Sequence, residues 1–358
     1  MPYSLTLALA ALAVTLLVTP SIMALARQAR LFDYPRPRHI HAEPVPTLGG
    51  LALAVAVLGV AWVARALPGP ARELELRPLL GLSLAAIPIL ALGTVDDLRG
   101  TPPWVKLIIQ ACAALVLVLF GYGVPVLTNP LGGSLSSGIF NIPLTVAWVL
   151  VVVNAINLID GLDGLASGAV LIASMALWWV GRTHGDFYVM FVCSLLAGAT
   201  LGFLRFNFPP ARIFMGDTGS HFLGLVLAAA SLLENRKGTA AVTLLFPLVA
   251  MGVPIADSLL AFVRRLARGT PVFRADSEHI HHRLLRLGLS PRNALFVLWY
   301  LCAYLGVTAV VLSAMPHEYT WLMLGLMVVG LVFAFEVLEF IDRRLSERRG
   351  EPPGGGER

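Results

Sequence analysis

Long apolar stretches alternate with short polar segments along almost the whole chain. A helix needs about 20 apolar residues to cross a bilayer. Eleven stretches meet this requirement, near residues 3–26, 47–67, 78–95, 103–121, 142–160, 165–182, 187–206, 217–233, 239–263, 294–314 and 319–341. The pattern predicts an all-α, polytopic integral membrane protein with about eleven transmembrane helices in one domain, 1–342. The charged, then Pro- and Gly-rich residues 343–358 predict a disordered tail.

The composition agrees with a membrane protein, and the basic residues predict its orientation. The chain is 57% hydrophobic and 13% charged, whereas soluble domains carry about 25% charged residues. Twenty Arg and Lys residues fall on one side of the predicted spans and six on the other. Since cytoplasmic loops are the basic ones, the N-terminus is predicted outside and the C-terminus in the cytoplasm. This charge suits the inner leaflet and an anionic substrate, and it implies no nucleic acid.

The most informative segment is Asn154-Ala-Ile-Asn157-Leu-Ile-Asp160-Gly-Leu-Asp163-Gly-Leu, at the end of the predicted span 142–160. Steps of three residues place the first three of these polar side chains on one side of a helix. Oxygen-rich side chains at the rim of a bilayer suit a hard cation such as Mg2+, which itself suits phosphate. A plain polar cap on a membrane helix is the alternative, but ionisable groups at membrane depth are usually functional.

Two further acidic sites fall at the same predicted side of the membrane. Asp96 and Asp97 end the third span, where adjacent carboxylates repel, so a cation should offset them: a metal, Arg99 or Lys106. Asp217, in Gly-Asp-Thr-Gly-Ser, begins the eighth span beside free backbone N–H groups. Asp217 alone is also typical of a plain N-cap. The shared side favours a metal ligand.

Two predicted inner loops carry basic side chains that suit phosphate. They are Arg38 and His41 in a Pro-rich loop, and His279, His281, His282 and Arg283 in the longest loop. The three histidines do not have the i, i+4 spacing of a helical zinc site. Asp257, in the ninth span, is predicted either to pair with Arg264 or Arg265 or to belong to the site.

Together these motifs resemble the polyprenyl-phosphate N-acetylhexosamine-1-phosphate transferases. The resemblance covers roughly 1–342. Its pieces are Pro46-Thr-Leu-Gly49-Gly50, Asp96-Asp97, the segment from Asn154 to Gly164, Phe214-Met-Gly-Asp217-Thr-Gly-Ser, and Asp276 to Arg283. It implies transfer of a sugar-1-phosphate from a UDP-sugar donor to a polyprenyl phosphate acceptor, with Mg2+ (or Mn2+) as cofactor and release of UMP. It also implies a multi-pass protein of the bacterial inner membrane with its active site on the cytoplasmic side, and it leaves a homodimer open.

The resemblance also implies residue roles. Asp217 resembles the metal-ligating Asp of the family, and Asn157 resembles a second protein ligand in some members. The catalytic positions it implies are Asp96, Asp97, Lys106, Asp160 and Asp163. The substrate-binding positions it implies are Asn154, Arg38, His41, His279, His281, His282 and Arg283. His39 departs from the pattern, since many relatives carry Lys there. The glycines Gly49 and Gly50 permit either tight packing or close approach of a substrate.

The His-x-His-His run resembles members whose donor is UDP-N-acetylglucosamine, which we expect here. Another UDP-N-acetylhexosamine and UDP-N-acetylmuramoyl-pentapeptide are the alternatives. The product would be the first lipid-linked intermediate of a cell-envelope glycan, such as lipopolysaccharide or a teichoic acid. We expect direct attack by the lipid phosphate. Asp97 is the preferred base, and a reaction without a base is the alternative, because the lipid phosphate loses its proton near neutral pH.

Two other classes of protein fit the sequence less well. A secondary transporter also carries acidic groups in the membrane, but its site lies near the midplane. Here the acidic residues cluster at one rim. A CDP-alcohol phosphotransferase would carry Asp-Gly-x-x-Ala-Arg, and the chain has Asp160-Gly-Leu-Asp-Gly-Leu instead.

Overall fold

The structure, a computed structural model, describes residues 2–34, 44–124, 126–128, 134–233, 245–267, 280–316 and 319–330. Arg38, His41 and His279 lie outside the described residues, as does the predicted tail 343–358. The α-helices are α1 (Pro2–Gln28), α2 (Gly49–Ala54), α3 (Val60–Ala66), α4 (Leu76–Arg99), α5 (Pro103–Leu119), α6 (Asn141–Ile159), α7 (Leu165–Thr183), α8 (Phe187–Asn207), α9 (Gly216–Leu233), α10 (Leu245–Ala250), α11 (Gly252–Ala267), α12 (Ile280–Arg286), α13 (Pro291–Ala314) and α14 (Thr320–Gly330).

Short elements join some of these helices. A π-helical segment, Val55–Gly59, continues α2 into α3. Two antiparallel strand pairs are present among the described residues: β1 (Phe32–Asp33) with β2 (Val45–Pro46), and β3 (Val126–Thr128) with β4 (Ser134–Ser136). Single-turn 3-10 helices precede α4 and α6. The described part of the chain is therefore mainly helical, as predicted.

Seven helical segments in the described part of the chain are long and apolar enough to cross a membrane. They are α1, α2 through α3, α4, α6 with its preceding turn, α7, α8 and α13. Helices α5 and α14 are apolar but shorter in the described residues. The prediction of an all-α polytopic membrane protein is confirmed, whereas the number of eleven spans and the orientation stay predictions.

Helix α9 lies at the centre of the bundle. It packs against α2, α4, α6, α7 and α8, and its residues from Thr218 to Leu232 are all buried. A helix that is apolar on every side belongs in an interior. Its polar residues are concentrated from Asp217 to His221, and they explain why α9 is not among the seven segments.

Glycines allow the neighbouring helices to approach the first turns of α9 closely. A Cβ atom added at Gly50 of α2 would lie 2.2 Å from the backbone nitrogen of Gly219, and one added at Gly93 of α4 would lie 2.4 Å from the Cα of Thr218. No larger side chain fits there without moving backbone. Tight packing is thus the role that the structure gives Gly50.

The predicted span 239–263 differs in detail, because its described part is divided into α10 and α11 at Met251. Pro254 has no N–H group to donate to the preceding turn, which accounts for a weakened helix here. The eight predicted spans from 3–26 to 217–233, and the span 294–314, match the helices to within a few residues, and the span 319–341 is described only as far as residue 330. The end of α4, the start of α5, the end of α6 and the start of α9 meet at one rim of the bundle, where the predicted acidic residues lie.

Candidate active site

An ion-pair network joins three helices at this rim. The Nζ atom of Lys106, in the first turn of α5, lies 2.6 Å from Oδ2 of Asp96 on α4 and 2.7 Å from Oδ2 of Asp217 on α9. The three side chains are largely shielded from solvent, with 21%, 13% and 26% of their surface exposed respectively. Of the cations that the sequence offered to offset Asp96 and Asp97, the structure brings Lys106 to Asp96, where it also contacts Asp217.

Helix α6 contributes the two asparagines, which face different partners. Asn157 donates through Nδ2 to Oδ1 of Asp217, at 2.9 Å, and to the hydroxyl of Ser220, at 3.0 Å. Asn154 instead donates to Oε1 of Gln110 on α5, at 2.7 Å. The structure thus brings Asn157 to Asp217 and leaves Asn154 one turn further into the bundle.

Asp97 holds the first turn of α9. Its Oδ1 accepts a hydrogen bond from the backbone N–H of Asp217 at 2.7 Å. Its Oδ2 accepts from the backbone N–H and the hydroxyl of Thr218, at 3.1 and 2.7 Å. The first N–H groups of a helix have no partner within the helix, so a carboxylate from α4 supplies what a local N-cap residue normally would.

The turn after α6 contains the other two acidic residues. Asp163 accepts a hydrogen bond from the backbone N–H of Ala211 at 2.9 Å and so ties this turn to the loop that leads into α9. Asp160 is the first residue beyond α6. Burial raises the pKa of the Asp160 carboxyl well above its usual range, and the negative charges of Asp217, Asp97 and Asp163 raise it further. A nearby cation would relieve this cost.

The Pro-Thr-Leu-Gly-Gly motif positions the chain just before α9 through its backbone. The N–H of Phe214 donates to the carbonyl of Pro46 at 2.9 Å, and the N–H of Gly49 donates to the carbonyl of Phe214 at 2.9 Å. The N–H of Gly50 donates to the carbonyl of Met215 at 3.0 Å. The motif thus fixes the entry to the Asp217 turn through backbone hydrogen bonds.

The described part of the basic loop forms α12. Its N-terminal amide, on Ile280, donates to Oδ1 of Asp257 on α11 at 3.0 Å, a contact that neither sequence-based interpretation of Asp257 included. His282 and Arg283 lie on α12 and are partly buried. Helix α12 also packs against α13. The structure therefore fixes where this loop begins its helix, and it does so through Asp257.

The oxygen atoms of this rim suit a divalent cation, although the described protein groups alone do not enclose one. No three His, Cys, Asp or Glu side chains in the described ranges lie close enough together to hold a metal ion by themselves. Mg2+ does not need such a cage, since it usually takes one or two carboxylates and completes its shell with water and substrate phosphate. Oδ1 of Asp96 is buried and has no hydrogen-bond partner, an acceptor that a cation or its water would satisfy. Together with Asp217 and the carbonyl oxygen of Asn157, it gives the hard oxygen chemistry that fits Mg2+.

Several polar residues of the site were not singled out from the sequence. Gln110 follows Lys106 by four residues within an apolar helix, and that spacing was the available signal. Ser220 and Thr218 stood inside a recognised motif without roles of their own. Asn207 accepts from the N–H of Gly164 and donates to a carbonyl in the loop before α9, so it braces both loops. His221 is completely buried, and both ring nitrogens lack a hydrogen-bond partner among the described residues.

A polytopic helical membrane protein with carboxylates, a lysine and an amide converging at one rim has the composition of a site for anionic, phosphate-bearing substrates. The profile of glycosyl transferase family 4 matches residues 79–235, a range that contains this whole network from Asp96 to Asp217.

Curated relatives extend the match over most of the chain. A probable undecaprenyl-phosphate N-acetylglucosaminyl 1-phosphate transferase of Bacillus subtilis is 34% identical, over 89% of this chain and 86% of the Bacillus protein. A decaprenyl-phosphate N-acetylglucosaminephosphotransferase of Mycobacterium leprae is 39% identical, over 90% and 87%. A phospho-N-acetylmuramoyl-pentapeptide-transferase of Desulforudis audaxviator is 30% identical, over 80% and 91%. The chain belongs to glycosyl transferase family 4, among the polyprenyl-phosphate N-acetylhexosamine-1-phosphate transferases.

Proposed function

We propose that this protein transfers N-acetylglucosamine-1-phosphate from UDP-N-acetylglucosamine to a polyprenyl phosphate, undecaprenyl phosphate by preference, and releases UMP. The observation that carries the proposal is the network in which Lys106 lies between Asp96 and Asp217. Such a site can both hold a cation and neutralise phosphate. The product is the first lipid-linked intermediate of a cell-envelope glycan.

The choice of sugar rests on the relatives and on the loop chemistry. The relatives at 34% and 39% identity act, by their names, with N-acetylglucosamine, and the muramoyl-pentapeptide relative is less similar at 30%. The His-x-His-His-Arg run of the basic loop, part of which forms α12, points the same way. A site that hydrogen-bonds a donor rejects analogues that leave its polar groups unpaired.

The chemistry needs alignment and charge compensation more than covalent participation. Both substrates are anions, so the lipid phosphate approaches the diphosphate only if their charges are offset. Lys106 brings a positive charge to the rim, where it now faces Asp96 and Asp217, and a phosphate that binds beside it would share this charge. Mg2+, held by Asp217 with Asn157 and Asp96 at hand, would supply further charge neutralisation at the diphosphate.

The orientation and location form part of the same proposal. The asymmetry of twenty basic residues against six supports a cytoplasmic location of the carboxylate rim. UDP-sugars are made there, so the donor would reach the rim from solution while the polyprenyl chain stays in the bilayer. The protein is accordingly proposed to lie in the bacterial inner membrane.

A donor panel tests the proposal. The protein purified in detergent is incubated with undecaprenyl phosphate, Mg2+ and one radiolabelled donor at a time, and the lipid is extracted. Label should enter the lipid from UDP-N-acetylglucosamine with release of one UMP per lipid formed. Label from the muramoyl-pentapeptide donor alone would overturn the sugar assignment. An absence of UMP release with every donor would overturn the transferase itself.

A further inference from the structure

We propose that Asp97 is a positioning residue, which caps helix α9 from the neighbouring helix α4 and thereby fixes Asp217 against Lys106 and Asn157. The sequence-based expectation gave Asp97 the role of a base toward the lipid phosphate. The contacts of its carboxylate point instead to a mechanical role. The inference rests on the proposed function only where activity is measured.

Helix α9 has no N-cap side chain of its own. A helix start normally places Ser, Thr, Asp or Asn at the N-cap, but the residues before Asp217 are Ile213, Phe214, Met215 and Gly216. None of them carries a side-chain oxygen. The N–H groups of Asp217 and Thr218 therefore need an acceptor from elsewhere in the fold, and Asp97 provides it with both of its oxygens.

Two glycines, Gly216 and Gly93, leave room for the Asp97 carboxylate beside the first turn of α9. Gly216 has a φ of +68°, and a Cβ atom added there would overlap the Asp97 carboxylate. One turn earlier on α4, Gly93 lies against the backbone of Thr218. Residues four apart share a face of a helix, so α4 presents a contact glycine and a capping carboxylate to the same turn of α9.

Asp96 and Asp97 are adjacent in sequence, but their carboxylates have different hydrogen-bond partners. Asp97 accepts three hydrogen bonds from α9, out of about four lone-pair positions on a carboxylate. Asp96 is engaged by Lys106 through Oδ2, and its Oδ1 has no hydrogen-bond partner. A base needs an available lone pair within reach of the proton that it takes. Three of the roughly four lone-pair positions of Asp97 are thus taken by α9, whereas Asp96 keeps one whole oxygen without a hydrogen bond.

The test compares Asp97→Asn with Asp97→Ala. An asparagine cannot accept a substrate proton, but its carbonyl oxygen still accepts a hydrogen bond from α9, whereas alanine accepts none. The positioning role predicts that Asp97→Ala loses about 100-fold in kcat, as misplacement by about 1 Å can cost. Asp97→Asn should keep at least a tenth of the wild-type kcat with an unchanged pH profile. Equal loss in both variants, with a missing limb in the pH profile, would show that Asp97 is a base.

Hydrogen exchange gives a readout that needs no activity. In Asp97→Ala, the amides of Asp217 and Thr218 should exchange about tenfold faster, as expected from the loss of a helix cap, with Asp97→Asn in between. The matched control is Asp96→Ala, which should leave these amides protected because the Asp96 carboxylate interacts with the side chains of Lys106 and Asp217 and, in the described part of the chain, accepts no hydrogen bond from the backbone of α9. Wild-type protection of α9 in Asp97→Ala would overturn the inference, whether or not the protein proves to be a transferase.

Discussion

Replacing Gly93 with alanine tests whether the close approach of α4 and α9 sets the active-site geometry. The added Cβ atom would lie 2.4 Å from Cα and 2.5 Å from N of Thr218, and 2.7 Å from the carbonyl carbon of Asp217. All three are backbone atoms and cannot rotate away. Carbon atoms prefer separations of about 3.5–4.0 Å, so the two helices must separate by about 1 Å at this level.

Separating α4 from α9 would lengthen the hydrogen bonds by which Asp97 holds the turn that carries Asp217. Asp97 is four residues from Gly93 on the same face, and its bonds to the N–H groups of Asp217 and Thr218 measure 2.7 and 3.1 Å. Adding about 1 Å takes both beyond the range of a useful hydrogen bond. Overpacking of this kind costs about 1–3 kcal/mol of stability, and misplacement by about 1 Å can cost about 100-fold in rate.

The assay is the initial rate of UMP release in detergent, with thermal unfolding of each variant measured in parallel. Gly59→Ala is the matched control, because Gly59 has a helical φ of −60° and no atom would lie within 4 Å of the added Cβ. We expect Gly59→Ala to be active within about twofold of wild type, since surface substitutions are usually neutral within about 0.5 kcal/mol. A Gly93→Ala protein with the wild-type rate would refute the reasoning, and lowered stability without a lowered rate would confine the effect to folding.

Three further predictions concern the cation, the basic loop and the orientation. Asp217→Asn should remove Mg2+-dependent activity while the protein stays folded, because an amide is a poorer ligand for a hard cation; wild-type rate and Mg2+ dependence in UMP release would contradict it. Asp257→Ala should raise KM for the donor more than it lowers kcat, because it removes the acceptor that holds the start of α12. Asp257→Asn should have a smaller effect, because its amide oxygen still accepts a hydrogen bond. Steady-state kinetics of both variants test this prediction, and an unchanged KM in Asp257→Ala would contradict it. In intact cells, a cysteine at Arg286 should resist an impermeant thiol reagent and one at Ser136 should react; the reverse would invert the topology.

The sequence could predict which residues meet at the rim because span ends follow from hydropathy. The end of the third span and the start of the eighth bring Asp97 and Asp217 to one level without knowledge of the packing. The partners could not be predicted in the same way. Successive residues on a helix point about 100° apart, so Asp96 and Asp97 face different neighbours, and only the placement of α5 and α9 decides which faces Lys106.

The same limit applies to the asparagines and to the glycine motif. Helical spacing put Asn154 and Asn157 on one side of α6. They lie one helical turn apart, however, so Asn154 contacts Gln110 and Asn157 contacts Asp217. The hydrogen bonds of Gly49 and Gly50 join backbone atoms to backbone atoms, and the type of side chain does not reveal such contacts. Their motif was recognisable, and its part in holding the start of α9 was not.

The burial of α9 separates the chemistry from the bilayer. From Thr218 to Leu232 the helix has no exposed side, so acyl chains meet the helices around it and not the one that carries Asp217. Membranes of different thickness tilt and strain lipid-facing helices at a cost of fractions of a kcal/mol per Å. Such strain reaches Asp217 only after the surrounding helices α2, α4, α6, α7 and α8 have absorbed part of it, so the carboxylate rim should keep its shape in membranes whose thickness varies.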